Sequence, residues 1–324
     1  MRGILIINTG TPKSLQKEDV QWFIGAMLSD PLLLSTVPNW FRPLLATRII
    51  APLRAAKSAA HYSLIWDKEH DASPLMYHTE QLAGKIEDLS GLPVEIAMRY
   101  GEPSIPLAFE RLIKKSPALH EVVVVPMFPQ YAQSSYQTVV DEVGRYFLKK
   151  HYPFRLKFIE PFYNHPCYIK ALSERLKPYV EGGGYDRLIF SFHSLPLVHV
   201  EEAWKKGYNF DYVYQIKETI KLVSKELNLD IKKNRIVYSS AIGKKWLEPD
   251  LCSTMKELAE EGIKRIVTLT AGFPADNLES LYDLDILARE AFLSNGGEDF
   301  VFVPGLNSED VWVEGVIKMV TDKV

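Results

Sequence analysis

Cysteine is nearly absent. Among 324 residues only Cys167 and Cys252 are thiols. Two thiols build neither a disulfide scaffold nor a four-thiolate zinc or iron–sulfur site. An excess of positive charge is also missing: Lys plus Arg number 38 against 41 Asp plus Glu, a net charge of −3. No global field recruits nucleic acid, and none is expected as a partner. No run approaches the roughly 18 uninterrupted apolar residues of a spanning helix. Ile4-Leu5-Ile6-Ile7 is too short for the core of a secretory leader, and no small-residue cleavage site follows before Asn8-Thr9-Gly10-Thr11-Pro12. The cytoplasm is therefore the expected location. Nucleotide signatures are missing too. Residues 8–12 do not read G-x-G-x-x-G, and Gly243-Lys244 lacks the first glycine of a P-loop because position 238 is Tyr. There is no G-x-S-x-G elbow. What remains is ordinary globular composition, 47% hydrophobic and 24% charged, at a length suiting two domains.

Short apolar runs ending in polar or turn residues recur at 3–7, 94–98, 121–126 and 154–159, and again at 187–192, 235–238, 265–269 and 300–303. Runs of this kind read as parallel strands buried on both faces. Amphipathic helical stretches at 106–115, 137–150, 168–180, 211–227, 250–261 and 278–293 alternate with them. The pattern predicts an α/β fold with right-handed crossovers. Both halves keep one rhythm, which predicts a duplication: two similar Rossmann-like domains, each with a four-stranded parallel sheet. The expected divisions are 1–163, 164–307 and a C-terminal helix over 308–324 packing back on the first domain.

The insert 13–92 breaks the rhythm. It is rich in apolar residues, among them Trp22, Met27, Trp40, Leu44, Ile49 and Leu53, and is interrupted by Pro31, Pro38, Pro43 and Pro52. Those prolines argue against one long helix. Two readings stand: a helical cap completing a core, or a hydrophobic lip over 22–53 for a flat apolar ligand or a membrane surface.

In open parallel sheets ligands bind beyond the carboxyl ends of strands. Those ends carry Asn8 to Pro12, then Pro126 to Tyr131, then Ser191-Phe192-His193-Ser194-Leu195-Pro196, then Gly272 to Glu279. Of the eight histidines, His193 alone ends an apolar strand. It is either a satisfied structural group or a neutral imidazole that takes a proton or binds a metal near pH 7. Glu279 also has two readings. Asp276-Asn277-Leu278-Glu279 has capping-box spacing, so Glu279 would be the third residue of the cap. Yet Glu279 and Asp283 are four apart on one helix face. With His193 they would form an open oxygen-and-nitrogen site for a divalent first-row cation. Arg54, Ser58 and Tyr62 share another helix face, as a solvated stripe or as donors to ligand carboxylates.

Together these segments resemble ferrochelatase, the family that inserts ferrous iron into a porphyrin. The matching stretches run in order along nearly the whole chain: 8–12, Arg54 through Trp66, Ser73-Pro74-Leu75, Ala97 to Gly101, Pro129-Gln130-Tyr131, His193-Ser194-Leu195-Pro196, Gly243 with Trp246-Leu247, Gly272 through Leu281, and Pro304 with Leu306-Asn307. The resemblance implies two Rossmann-like domains with a cleft between them. It implies His193 as the catalytic histidine, Glu279 as its partner acid and Asp283 as a second acidic position, the three together receiving iron. It implies Thr9, Arg54, Ser58 and Tyr131 as porphyrin-binding positions. Fe²⁺ is then a substrate, and no tightly bound cofactor is expected. Handover partners in heme synthesis and a peripheral membrane contact through 22–53 belong to the same expectation.

The sequence departs from the family in two places. Ser239-Ser240-Ala241 stands where the family usually has Gln-Ser-Arg, so a basic residue is lost. Gly305 stands where Cys is frequent. With two thiols in all, no iron–sulfur cluster is expected. The rival readings are a non-catalytic tetrapyrrole or metal binder, a cobalt chelatase acting on a more carboxylated ring, and a nucleotide-sugar glycosyltransferase. The last would be expected to show a phosphate-binding turn.

Overall fold

The computed structural model describes residues 1–322. It forms two compact units. The first holds Met1–Phe128, Ala132–Pro161 and the chain from Val316; the second holds Pro129–Tyr131 and Phe162–Gly315. The expected C-terminal helix is realised as Asp310–Thr321, and positions 323 and 324 lie outside the described residues. This helix starts in the second unit and ends in the first, where the Val320 carbonyl accepts a hydrogen bond from Arg2 Nη1 at 2.7 Å.

All eight expected strands form. In the first unit β1 (Arg2–Asn8), β2 (Val94–Met98), β3 (Glu121–Pro126) and β4 (Arg155–Phe158) lie in the order β2-β1-β3-β4. In the second, β5 (Arg187–His193), β6 (Asn234–Ser239), β7 (Arg265–Thr270) and β8 (Asp299–Val303) lie in the order β6-β5-β7-β8. Every neighbouring pair is parallel. The identical order is the duplication seen in three dimensions. Ile4 to Ile7 and Val122 to Val125 are fully buried, as central strands covered on both faces require. The second core packs Ile189, Val237, Met255, Ile266, Leu284 and Phe292 together.

The insert folds as helices. Lys17–Leu28 packs Val20, Phe23 and Ile24 against Ala51 and Ala55. Arg42–Leu44, the π-helix Leu45–Ile50 and Ala51–Ile65 follow without a break. Pro31 and Pro38 do interrupt the chain as expected, but Pro43 and Pro52 do not. Pro43 sits in a first turn, where its missing N–H costs no hydrogen bond. Pro52 directly follows the π segment, in which Ala51 N–H bonds back five residues to the Ala46 carbonyl. The wider ladder absorbs the missing donor that would break an α-helix. The outward faces leave Trp22, Trp40, Leu44, Ile49, Leu53 and Leu64 exposed, Trp40 at 82% and Leu53 at 79%.

One buried charge ties this insert to the first sheet. Asp30 Oδ2 accepts from Arg99, from the Tyr100 hydroxyl at 2.8 Å and from the Thr138 hydroxyl. The loop after β1 is stitched to the same place: Arg99 N–H reaches the Asn8 carbonyl and Tyr100 N–H the Thr9 carbonyl, each at 2.8 Å. Gly10 adopts φ +114° there, and a Cβ on it would stand 1.8 Å from the Tyr100 carbonyl oxygen. Only glycine fits.

Candidate active site

Three elements of the second unit meet at the carboxyl end of its sheet. β5 ends at His193, and β6 ends at Ser239 directly opposite it. After β7 the chain turns into a π-helix, Glu279–Ala288. π-Helical turns are rare and recur at functional sites. The loop after His193 is fixed to the segment beyond β6. Ser194 N–H bonds the Ser239 carbonyl, Leu247 N–H bonds the Leu195 carbonyl, and Leu197 N–H bonds the Lys245 carbonyl, each at 2.9 Å.

At the centre His193 Nδ1 lies 2.9 Å from Glu279 Oε2. The Ser239 hydroxyl donates to the same oxygen at 2.7 Å. The Tyr212 hydroxyl donates to the His193 carbonyl at 3.1 Å. The Ser240 hydroxyl donates to Asp283 Oδ2 at 2.8 Å. The side chains of His193 and Glu279 are 37% and 23% exposed, so the pair sits at a surface that solutes can reach.

Burial alone would depress the His193 pKa, but the charge of Glu279, its hydrogen bond and the charge of Asp283 outweigh that and raise it. Burial would likewise raise Glu279, yet the His193 charge and hydrogen bond, with the Ser239 hydroxyl, hold its carboxyl below the usual range. Both partners thus favour the ion pair. A carboxylate that only accepts assigns the hydrogen on Nδ1, so neutral His193 carries its lone pair on Nε2. Asp283 goes the other way: burial and then the Glu279 charge push it up to about 6.

The capping reading of Glu279 is excluded by the contacts. Asn277 Oδ1 accepts from Glu279 N–H at 2.8 Å and Ser280 N–H at 3.4 Å, while the Ser280 hydroxyl accepts Asn277 N–H at 2.9 Å. The reciprocal cap runs one residue later than expected, from Asn277 to Ser280. Asp276 is held by Gly305 N–H at 3.0 Å and Asn307 Nδ2 at 2.8 Å. The Glu279 carboxylate is thereby free to face His193.

His193, Glu279 and Asp283, expected to receive metal together, do lie in one place. They do not close around a point. Among the described residues no group of three or more His, Cys, Asp or Glu is arranged to hold a metal ion. Glu279 Oε2 and His193 Nδ1 face each other, which leaves Glu279 Oε1 and His193 Nε2 outside their pair. Tyr131 belongs to this second unit; its ring meets Phe210 edge-on at 4.9 Å and its N–H donates to Gln215 Oε1 at 2.7 Å. Thr9, Arg54 and Ser58 belong to the first unit. Thr9 is half-buried at the end of β1, while Arg54 is exposed and Ser58 half-buried on Ala51–Ile65. Tyr62, on the same helix, is buried against Trp66 rather than displayed. Sequence reasoning missed Ser239, Ser240 and Tyr212 as parts of the site. The signal that points to the two serines is their place at and just after the end of a strand.

The Ferrochelatase family model matches residues 1–324. The ferrochelatase of Pseudomonas putida strain F1 is 33% identical, across 98% of this chain and 97% of its own. That of Francisella tularensis subsp. tularensis is 32% identical, across 100% and 96%. Among solved structures, SirB from Bacillus subtilis with Fe³⁺ aligns with a TM-score of 0.53 at 13% identity, covering 98% of this chain and 94% of that one. At that identity the likeness speaks for the fold.

Proposed function

The chain belongs to the ferrochelatase family, a family of metal chelatases classed as lyases, and from that premise we propose how its own residues place ferrous iron in a porphyrin. Metallation breaks two inner pyrrole N–H bonds, forms bonds from iron to the ring nitrogens and transfers no electrons. It needs a base at the ring and a route for two protons. His193 is that base: Glu279 holds its Nδ1, aims Nε2 outward and stabilises the imidazolium that forms. Glu279 and Asp283 attract Fe²⁺ and carry protons away, Asp283 being suited to exchange near neutral pH by its pKa of about 6. Bending the ring to expose its lone pairs costs about 1–5 kcal/mol, supplied by contacts remote from the nitrogens.

The observation that supports this reading is the 2.9 Å pair of His193 and Glu279 at the end of a parallel strand. Thr9, Arg54, Ser58 and Tyr131 are the porphyrin-binding positions of the proposal. Iron enters as substrate, no resident cofactor is invoked, and handover partners on either side of the step are part of the proposal. No described helix is long and apolar enough to cross a membrane. The exposed apolar side chains within 22–53 are offered instead as a peripheral membrane contact of a cytoplasmic enzyme. A cobalt chelatase and a non-catalytic binder draw less support, since full-length relatives carry the name ferrochelatase. The test is anaerobic mixing with Fe²⁺ and protoporphyrin IX or coproporphyrin III, followed by absorption. Wild type metallates one of them, and His193→Ala loses about 100-fold or more in kcat. Near wild-type turnover by His193→Ala would show the histidine to be structural.

A further inference from the structure

β6 ends at Ser239 and Ser240 follows it directly, and each serine donates to a different acid of the π-helix. The Ser239 hydroxyl lies 2.7 Å from Glu279 Oε2 and the Ser240 hydroxyl 2.8 Å from Asp283 Oδ2. Successive side chains of an extended strand point to opposite faces, so two adjacent residues do not ordinarily reach one helix. Here the alternation is broken by Ser240, whose φ of +59° lies in the left-handed region that non-glycine residues rarely occupy. That backbone conformation turns the second hydroxyl toward the helix that the first already touches. Strained backbone of this kind persists where the surroundings hold it, and it clusters at functional sites.

The consequence concerns which oxygens are left. Oε2 of Glu279 takes both His193 and Ser239, and Oδ2 of Asp283 takes Ser240. Among the described residues, Oε1 of Glu279 and Oδ1 of Asp283 receive no hydrogen bond. We propose that Ser239 and Ser240 are positioning residues, which fix the two carboxylates so that each presents its unbonded oxygen to the incoming divalent cation. The pair does for a transient metal substrate what outer-sphere hydrogen bonds do for resident metals. Ser239 stands where the family usually has Gln, while Ser240 keeps the family's Ser, so the Ser239 contact is the part particular to this chain. The inference rests on the function proposed above.

The test separates iron from porphyrin in steady-state metallation under anaerobic conditions. Ser239→Ala lowers kcat/KM for Fe²⁺ about tenfold, the scale on which outer-sphere partners act, and leaves KM for porphyrin within about twofold. Ser239→Thr keeps a hydroxyl and returns kcat/KM for Fe²⁺ to within about twofold of wild type. Ser240→Gly accepts the left-handed backbone while deleting the hydroxyl, and it too loses several-fold on iron alone. Either deletion keeping wild-type kcat/KM for Fe²⁺, or weakening porphyrin as much as iron, overturns the proposal. Porphyrin binding by fluorescence quenching checks folding. A Ser239→Ala protein that fails it is replaced by Ser239→Cys, judged by the same criteria. A wild type that binds porphyrin without metallating it refutes the parent reading and this one with it. Wild-type turnover with unaffected serine variants refutes this one alone.

Discussion

Replacing Asp283 by Asn is expected to make the protein more stable and less active. Burial, then the neighbouring Glu279 charge, lifts the Asp283 carboxyl from its ordinary 3.8 to about 6, against the opposing pull of Ser240 and His193. A native-state pKa above the unfolded one means that the fold prefers the protonated acid. Below pH 3.8 both states hold the proton and the residue costs nothing. As pH rises toward 6 the unfolded chain releases its proton and the native state retains it, so stability declines. Beyond 6 the cost is complete: a rise of about two pH units at about 1.4 kcal/mol each comes to about 3 kcal/mol. Asn is nearly isosteric, keeps an acceptor for Ser240 and carries no charge. Urea unfolding followed by tryptophan fluorescence should therefore show no gap between Asp283→Asn and wild type near pH 3.5. At pH 7.5 the gap should be about 3 kcal/mol in favour of Asn. A gap of the opposite sign, or one that does not change with pH, would refute the electrostatic argument. The adjacent pair has the reverse signature. Glu279, held low, adds stability above its ordinary 4.5 that is lost as pH falls through its native value. His193, held high, adds stability below 6.5 that is lost as pH rises through its native value. The ion pair is thus fully present between those two ordinary values, where the cost of Asp283 is growing.

Three further substitutions test contacts within each unit. Because Asn277 and Ser280 cap the π-helix, Asn277→Ala should cost about 1 kcal/mol in urea unfolding. Glu279→Gln should lose turnover together with the pH-dependent stability of the pair with His193, and retained turnover with a pH-independent loss of stability would restore the capping reading. Asp30→Ala removes the acceptor of a buried charged cluster. It should cost about 1–3 kcal/mol in the same measurement, since Arg99, Tyr100 and Thr138 lose their shared acceptor while Arg99 keeps Glu142 at 3.9 Å. A loss under about 1 kcal/mol would mean that water reaches the guanidinium.

How far these features could be read in advance depended on the kind of signal each leaves. The eight strands were legible because buried parallel strands are continuous apolar runs with charged or polar edges, as in Arg187 to His193. His193 stood out because a histidine closing such a run lies at the sheet end where ligands bind. A helix through Arg54, Ser58 and Tyr62 was legible, but its continuation back to Arg42 was not. The rule that proline breaks helices assumes a four-residue ladder, and the π segment before Pro52 changes that ladder. Nothing in residues 45–50 announces the wider turn.

The site shows the same limit more sharply. Asp276, Asn277, Glu279 and Ser280 offer two capping frames one residue apart, and spacing alone cannot choose between them. The choice is made largely from outside the helix: Asn307 and Gly305, some 30 residues later, hold the Asp276 carboxylate together with the Ser280 hydroxyl, and so take it out of the capping role. With Asp276 removed, Asn277 must cap and Ser280 must answer it. Glu279 is then the acid with no duty in the turn, and it pairs with a histidine that lies 86 residues earlier. The catalytic assignment therefore depends on a supporting loop that does no chemistry. A change at Asn307 that frees Asp276 to cap would move the frame back by one residue and draw Glu279 away from His193.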